Sequence, residues 1–197
     1  MAVGEIVTDF HNRTTGLDGT GMFVHKGAVA WGATPVELTA TPAEINALAD
    51  VSGQIVTHTA SGNITAALHA GKTNLLAEVG GDALVTKTLP AATGTGNKYR
   101  FVVGVLNTST YVIIVNATPG TDIFRGSINV LDNDAAAQGA FASITGDTIT
   151  LNGTTTGGLI GDYVEIQDIL SGVFQVMGQT VCPAGSNPAT PFSATVP

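Results

Sequence analysis

The chain has 197 residues, 44% of them hydrophobic and 11% charged, with a formal net charge of −8. That is long enough for one full domain plus an arm and too apolar for general disorder, yet far below the ~25% charged residues of an ordinary soluble domain. Seven Lys and Arg spread over the whole length cannot displace counterions from a phosphate backbone, which argues against a nucleic-acid partner and equally against an anionic membrane surface. Charge keeps a monomer solvated and its neighbours away, so a chain this poor in it, with 25 glycines, is expected to hide surface against other subunits.

The first residues, MAVGEIVTDFHNRTTG, carry acids early and lack the apolar core of a signal peptide. The longest apolar run, YVIIV at 111–115, is too short to cross a bilayer. The chain is therefore expected to be a soluble product of a cytoplasm. Over residues 1–40 glycines interrupt every apolar run, and Trp31 sits between Ala30 and Gly32; such a segment cannot build its own core and reads as an arm that lies on something else. TPAEINALAD at 41–50 differs. Thr41 suits an N-cap, Pro42 the first helical position, and Glu44 completes a Thr-x-x-Glu capping box. Ile45 and Leu48 then share one face of a helix so short that it is marginal unless that face docks.

From Val51 onward short runs alternate in period two. QIVTHT (54–59), GKTNLLAEVG (71–80), ALVTKTLP (83–90), KYRFVVGVL (98–106), TYVIIVN (110–116), TDIFRGSINVL (121–131), DTITLNG (147–153), DYVEIQDI (162–169) and GVFQVMGQTV (172–181) all read as strands. The runs 98–106 and 110–116 flank NTS as a hairpin would. HAGK and NDAAAQGA have room for a helical turn, and the Pro-rich tail PAGSNPATPFSATVP cannot continue a sheet interior. The expected fold is all-β: a β-sandwich or jelly-roll-like domain over 51–197 with an extended C-terminal tail, preceded by an arm and short linking helix over 1–50.

Chemistry-bearing patterns are sparse. ATGTGNKYR (92–100) holds Gly94-Thr-Gly96, half of a dinucleotide fingerprint, but a strand follows where a helix should begin, so a hairpin loop is the better reading. His11, His25, His58 and His69 show no ligand spacing and are expected at surfaces or interfaces. Ser61 and His69 lack the nucleophile turn of a hydrolase. Asp132 and Asp134 begin like a calcium loop whose later ligands are out of register. Asp162, Glu165 and Asp168, spaced by three, are expected to put Glu165 opposite Asp162 and to keep Asp168 off the face of Asp162. Cys182 has no partner cysteine and no nearby cation, and reads as an inert thiol. Five Asn-x-Ser/Thr triplets, at Asn12, Asn63, Asn107, Asn116 and Asn152, read as turns and strand faces. Phe101, Tyr111, Phe124, Tyr163 and Phe174 fall in strands and are expected in the core, leaving few aromatic platforms for a carbohydrate-binding module. No catalytic residue, cofactor or metal ligand is expected; the interface candidates are Trp31, Ile45 and Leu48.

LTATPAEINALADVS (38–52) resembles the LTA-x-ELN-x-LDGV element of phage fibre and virion-decoration proteins, with Glu44, Ile45, Asn46 and Leu48 at its Glu, Leu, Asn and Leu. ADVS replaces the usual DGV. The stretches 68–104 and 148–176 resemble segments of phage structural proteins. This resemblance implies a non-enzymatic structural protein of a tailed-phage virion. It implies a capsid decoration (cement) protein that binds the major capsid protein on the capsid exterior, or otherwise a head or tail fibre subunit. A homotrimer is expected, because closed cyclic symmetry presents equivalent surfaces to a shell.

Overall fold

Strands that carry an apolar residue at every second position must put that face against another apolar layer, and here two sheets supply it for each other. A computed structural model describes residues 51–77, 84–106, 109–114, 121–134 and 138–194, all within the unit Asp50–Pro197. The arm and helix expected over 1–50, and with them Trp31, Ile45 and Leu48, lie outside the described residues.

After a 3-10 turn at Val51–Gln54 come β1 (Ile55–His58), β2 (Gly62–Asn63), a single helical turn α1 (Ala66–His69), β3 (Thr73–Leu76), β4 (Val85–Thr88), β5 (Lys98–Val103) and β6 (Tyr111–Ile114). The second half holds β7 (Ile123–Asp132), β8 (Gln138–Gly146), β9 (Thr148–Leu151), β10 (Tyr163–Leu170), β11 (Val173–Cys182) and β12 (Phe192–Ser193). A seven-stranded sheet runs β1-β3-β5-β10-β11-β7-β8 and a five-stranded sheet runs β12-β9-β6-β4-β2. The domain is all-β, as expected. Both sheets mix parallel with antiparallel pairs, unlike the all-antiparallel jelly roll.

The course of the first half explains the mixture. β1, β3 and β5 lie parallel in the larger sheet, while β2, β4 and β6 lie parallel in the smaller one. The chain thus crosses from sheet to sheet after every strand and winds around the core. The hairpin expected from 98–106 and 110–116 does not form: β5 pairs with β3 and β10, β6 with β4 and β9. A short link next to two apolar runs can turn back within a sheet or cross to the opposite one, and period two is the same in both cases. A true hairpin does occur at β10 and β11, antiparallel around Ser171 and Gly172. Of the region 133–140, expected to have room for a helical turn, residues 138–140 begin β8, and 135–137 lie outside the described residues.

The two sheets share one core. Leu76, Tyr99, Phe101, Phe124, Ile128, Val164, Ile166, Phe174 and Val176 come from the larger sheet, and Val85, Tyr111, Ile113, Ile149 and Leu151 from the smaller. Phe124 and Phe174 sit opposite each other on β7 and β11 with ring centroids 6.1 Å apart and tilted, a spacing favourable to aromatic pairs. Burying each such side chain stabilises the fold by about 1.5–3 kcal/mol. Cys182 belongs to this cluster, and burial pushes its thiol up, which disfavours the thiolate. Four of the five strand aromatics are core residues; Tyr163 is the exception and faces outward, half-buried.

On β7, Gly126 pairs with Val176 of β11 and has φ 143°. A Cβ built there overlaps the carbonyl oxygen of Val176 on β11. Gly126→Ala is therefore expected to lower stability by roughly 3 kcal/mol or more, through backbone strain and a forced separation of paired strands. Urea unfolding measures it; a loss under about 0.5 kcal/mol, the range of neutral surface changes, would mean that these strands have room to spare.

Candidate functional site

β10 alternates without a break: Val164, Ile166 and Asp168 face the core, while Tyr163, Glu165 and Gln167 face outward. Asp162, just before the strand, is buried as well. This corrects the expected placing of the carboxylates. Six is an even number, so Asp162 and Asp168 share the core side of β10, and only Glu165 lies on the other. They sit at opposite ends of the strand, about 20 Å apart at ~3.3 Å per residue. That exceeds any glycosidase pair, whose carboxyl groups lie about 5–9.5 Å apart.

Both aspartates are committed to backbone donors. Asp168 accepts hydrogen bonds from the N–H groups of Thr93 (3.0 Å), Gly94 (2.7 Å) and Thr95 (3.1 Å), and from the Thr95 hydroxyl (2.7 Å). Gly94 and Gly96, each at φ 78°, turn those N–H groups inward, as left-handed positions in an anion-binding loop do. The half fingerprint at 92–100 is therefore a true anion nest, filled by the protein's own side chain. It is not the expected hairpin loop, because it carries the chain from β4 in one sheet to β5 in the other. Burial works to raise the Asp168 carboxyl; the Thr95 hydroxyl and the N–H groups of Thr95, Gly94 and Thr93 outweigh it and hold the group below the ordinary carboxylate value. Asp162 accepts from Gly158 (2.7 Å), Leu159 (3.0 Å) and Val181 (3.0 Å). There burial prevails over the three bonds, and the carboxyl is pushed up.

A second buried polar group corrects the placing of two histidines. His58 on β1 and His69 on α1 are buried and stacked, 5.2 Å between ring centroids. The Nε2–H of His58 donates to Asn74 Oδ1 at 3.0 Å, since an amide oxygen can only accept. The Asn74 amide in turn donates to the carbonyls of His69, Lys72 and Arg100. His69 Nδ1 caps the backbone N–H of Thr65 at 2.9 Å, so it takes no part with Ser61, whose hydroxyl bonds the Leu84 carbonyl and the Thr86 N–H instead. Lys87, buried on β4, reaches the carbonyl of Ala60, and burial lowers its pKa. Burial also lowers His58, helped by Lys87 and His69 against the opposing Asn74 bond. His11 and His25 lie outside the described residues.

The remaining candidates also hydrogen-bond within the fold. Asp132 accepts from the N–H of Asp134, and Asp134 from that of Gly185, which ties this loop to the chain after β11. Asn152 Oδ1 collects the N–H groups of Thr154, Thr155 and Thr156, the turn expected at that triplet. Among the described residues no group of three His, Cys, Asp or Glu is placed to hold a metal ion, and no helix is long and apolar enough to cross a membrane.

What the described surface offers is sheet. On the outer face of the larger sheet Arg100 lies 4.5 Å over the Tyr163 ring and 3.9 Å from Glu165. Elsewhere among the described residues large apolar side chains stand exposed: Ile160 at 70% in the loop before β10, Ile144 at 69% on β8 and Leu170 at 61% at the end of β10. β8 closes the same sheet with one edge paired to β7 and no described strand on the other. The sequence reading missed β8 and the two nested aspartates; the glycine pair beside Thr95 was the visible sign of the nest. No protein-family model, curated protein or solved structure matches the chain.

Two pH effects follow. A depressed aspartate contributes stability that is full above its unfolded pKa of about 3.9 and is lost as pH falls through the folded value. Asp168→Asn is expected to cost roughly 1.5–3 kcal/mol at pH 7, as for hydrogen bonds to a charged group, with the gap to the wild type closing below about pH 4. Chemical unfolding across that range measures it; a gap that stays constant would mean the charge plays no part. His58 is depressed as well, so its contribution is present above about pH 6.5 and is lost on acidification. His58→Gln should flatten the decline in stability just below that pH, and an unchanged slope would assign the decline to another group.

Proposed function

We propose that this chain is a structural protein of a tailed-phage virion, a capsid decoration (cement) protein that binds the capsid exterior as an oligomer. The observation that carries the reading is the surface: large apolar side chains exposed on a domain whose sequence is only 11% charged. Exposed apolar side chains on a surface with so few charges are available for burial against a partner, and charge does little to hold such a partner off. The polar groups point the same way. Asp162, Asp168, His58 and Asn74 are engaged in internal hydrogen bonds, as suits a scaffold rather than a reaction site. The sequence resemblance of 38–52, 68–104 and 148–176 to phage structural proteins supplies the setting. In that setting each subunit covers apolar surface on the major capsid protein, and many weak contacts add through multivalency.

A head or tail fibre subunit is the second reading, and the winding of β1 to β6 favours it, because parallel strands stacked in successive turns extend along an axis. Mass spectrometry of purified particles, with copy number measured against the major capsid protein, separates the two. Hundreds of copies per particle are expected. A handful would fit an appendage, and absence from the particle would defeat both readings.

A further inference from the structure

Residues 55–72 hold β1, β2 and α1, and little fastens them to the domain. Among the described strands β1 pairs with β3 alone, through four residues, and β2 with β4 alone, through two. α1 is a single turn whose N-cap, Thr65, makes no side-chain cap bond. Within this segment only the side chains of His58, Ile64 and His69 are buried. Two of the three anchors can take up a proton.

The surroundings of the two rings are basic. They stack at 5.2 Å between centroids. Lys87, 2% exposed, comes from β4, lies near enough for its charge to act on His58, and has the Ala60 carbonyl as its partner. β3 contributes the neutral Asn74 and the 3-10 turn Val51–Gln54 nothing titratable, while Lys72, between α1 and β3, adds a further positive charge. The charges acting on His58 are those of Lys87 and His69, and neither is a carboxylate. His69 Nδ1 accepts from the Thr65 N–H at 2.9 Å and is therefore unprotonated. A proton there would displace that donor and turn to the Thr65 carbonyl, 3.1 Å away.

We propose that residues 55–72 form an acid-operated latch: protonation of the His58–His69 stack beside Lys87 releases β1, β2 and α1 from their sheets while the rest of the domain stays folded. A cation taken out of water is destabilising unless an anion or hydrogen bonds compensate it, and like charges this close repel strongly in a low dielectric. Burial first, then Lys87 and His69, hold His58 below its ordinary value against the Asn74 bond. The open segment, with His58 in water, therefore binds its proton first. The closed form has its full advantage above about pH 6.5 and loses it as pH falls. Opening breaks few strand pairs, so it precedes global unfolding. It takes Ile64 out of the core and uncovers the edges of β3 and β4. The latch rests on the histidine cluster alone and is independent of the proposed function.

Hydrogen exchange of the full chain, corrected for the intrinsic effect of pH, tests it. The informative amides are those of Ile64, His69, Ala70 and Ala77, which donate to the carbonyls of Thr88, Thr65, Ala66 and His58. Between about pH 7.5 and about pH 5 their protection should fall by about tenfold or more, while the amides of β5, β10 and β11 change by less than about twofold. His58→Gln, which keeps a donor for Asn74, should remove most of the fall with an unchanged circular dichroism spectrum. Lys87→Met keeps the volume and removes the neighbouring charge, and should shrink the fall even if His58→Gln leaves the segment open at both pH values. Protection in 55–72 that ignores pH, or a fall shared equally by β5, β10 and β11, would overturn the proposal. So would a fall that survives both substitutions in full, which would assign the response to another group such as Asp162.

Discussion

The hydrogen bonds between the Asp168 carboxylate and the N–H groups of Thr93, Gly94 and Thr95 join the two halves of this domain. On one side is the chain crossing from β4 to β5; on the other is the hairpin of β10 and β11. Their backbones interlock at the same place: Gly96 donates to the Asp168 carbonyl, Asp168 to that of Asn97, and Gly172 to that of Ala92. Asp122 extends the join by accepting from the N–H of Ala92. A loop that changes sheets leaves backbone donors without ladder partners, and a buried carboxylate can satisfy several at once. Without it the winding half would be held in register by the β5–β10 and β6–β9 pairings and the few backbone bonds beside them.

The same physics accounts for how few charges the domain needs. Asp162 and Asp168 act inside, against backbone N–H groups, rather than outside against lysines. Lys87 is buried against a carbonyl, and the ion pair between Arg100 and Glu165 lies on a sheet face where it contributes little. The outer surface is left to Gln167, Gln175, Gln179, Thr57 and Asn129, with Ile144, Ile160 and Leu170 exposed among the described residues. Such a surface has little to keep it from its neighbours. The proposed assembly is consistent with a composition that places polar capacity within the fold.

Strand content was legible in the sequence wherever one face is buried, as in β5, β10 and β11, because burial imposes period two. β8 was not. It is an edge strand with both faces partly open, and Gly, Ala and Ser interrupt Phe141, Ile144 and Thr145, so no clear alternation marks it. Sheet membership was hidden as well, since a run such as Tyr111–Ile114 looks the same in either sheet. Of the candidate site, the two glycines flanking Thr95 signalled a nest, but its occupant lies more than seventy residues away and no local spacing reveals it. The pairing of His58 with His69 escaped for a similar reason: the stack depends on α1 turning back beside β1. The parity of Asp162 and Asp168 was available from the sequence and was misjudged.

Hydrogen exchange in the crossing loop tests the central claim, that the Asp168 carboxylate joins the two halves of the domain. The amides of Thr93, Gly94 and Thr95 should be protected in the wild type, and in Asp168→Asn that protection should fall by about tenfold or more. Fast exchange of these amides in the wild type, with the β10–β11 ladder protected, would show a carboxylate that holds nothing in place and would contradict the account.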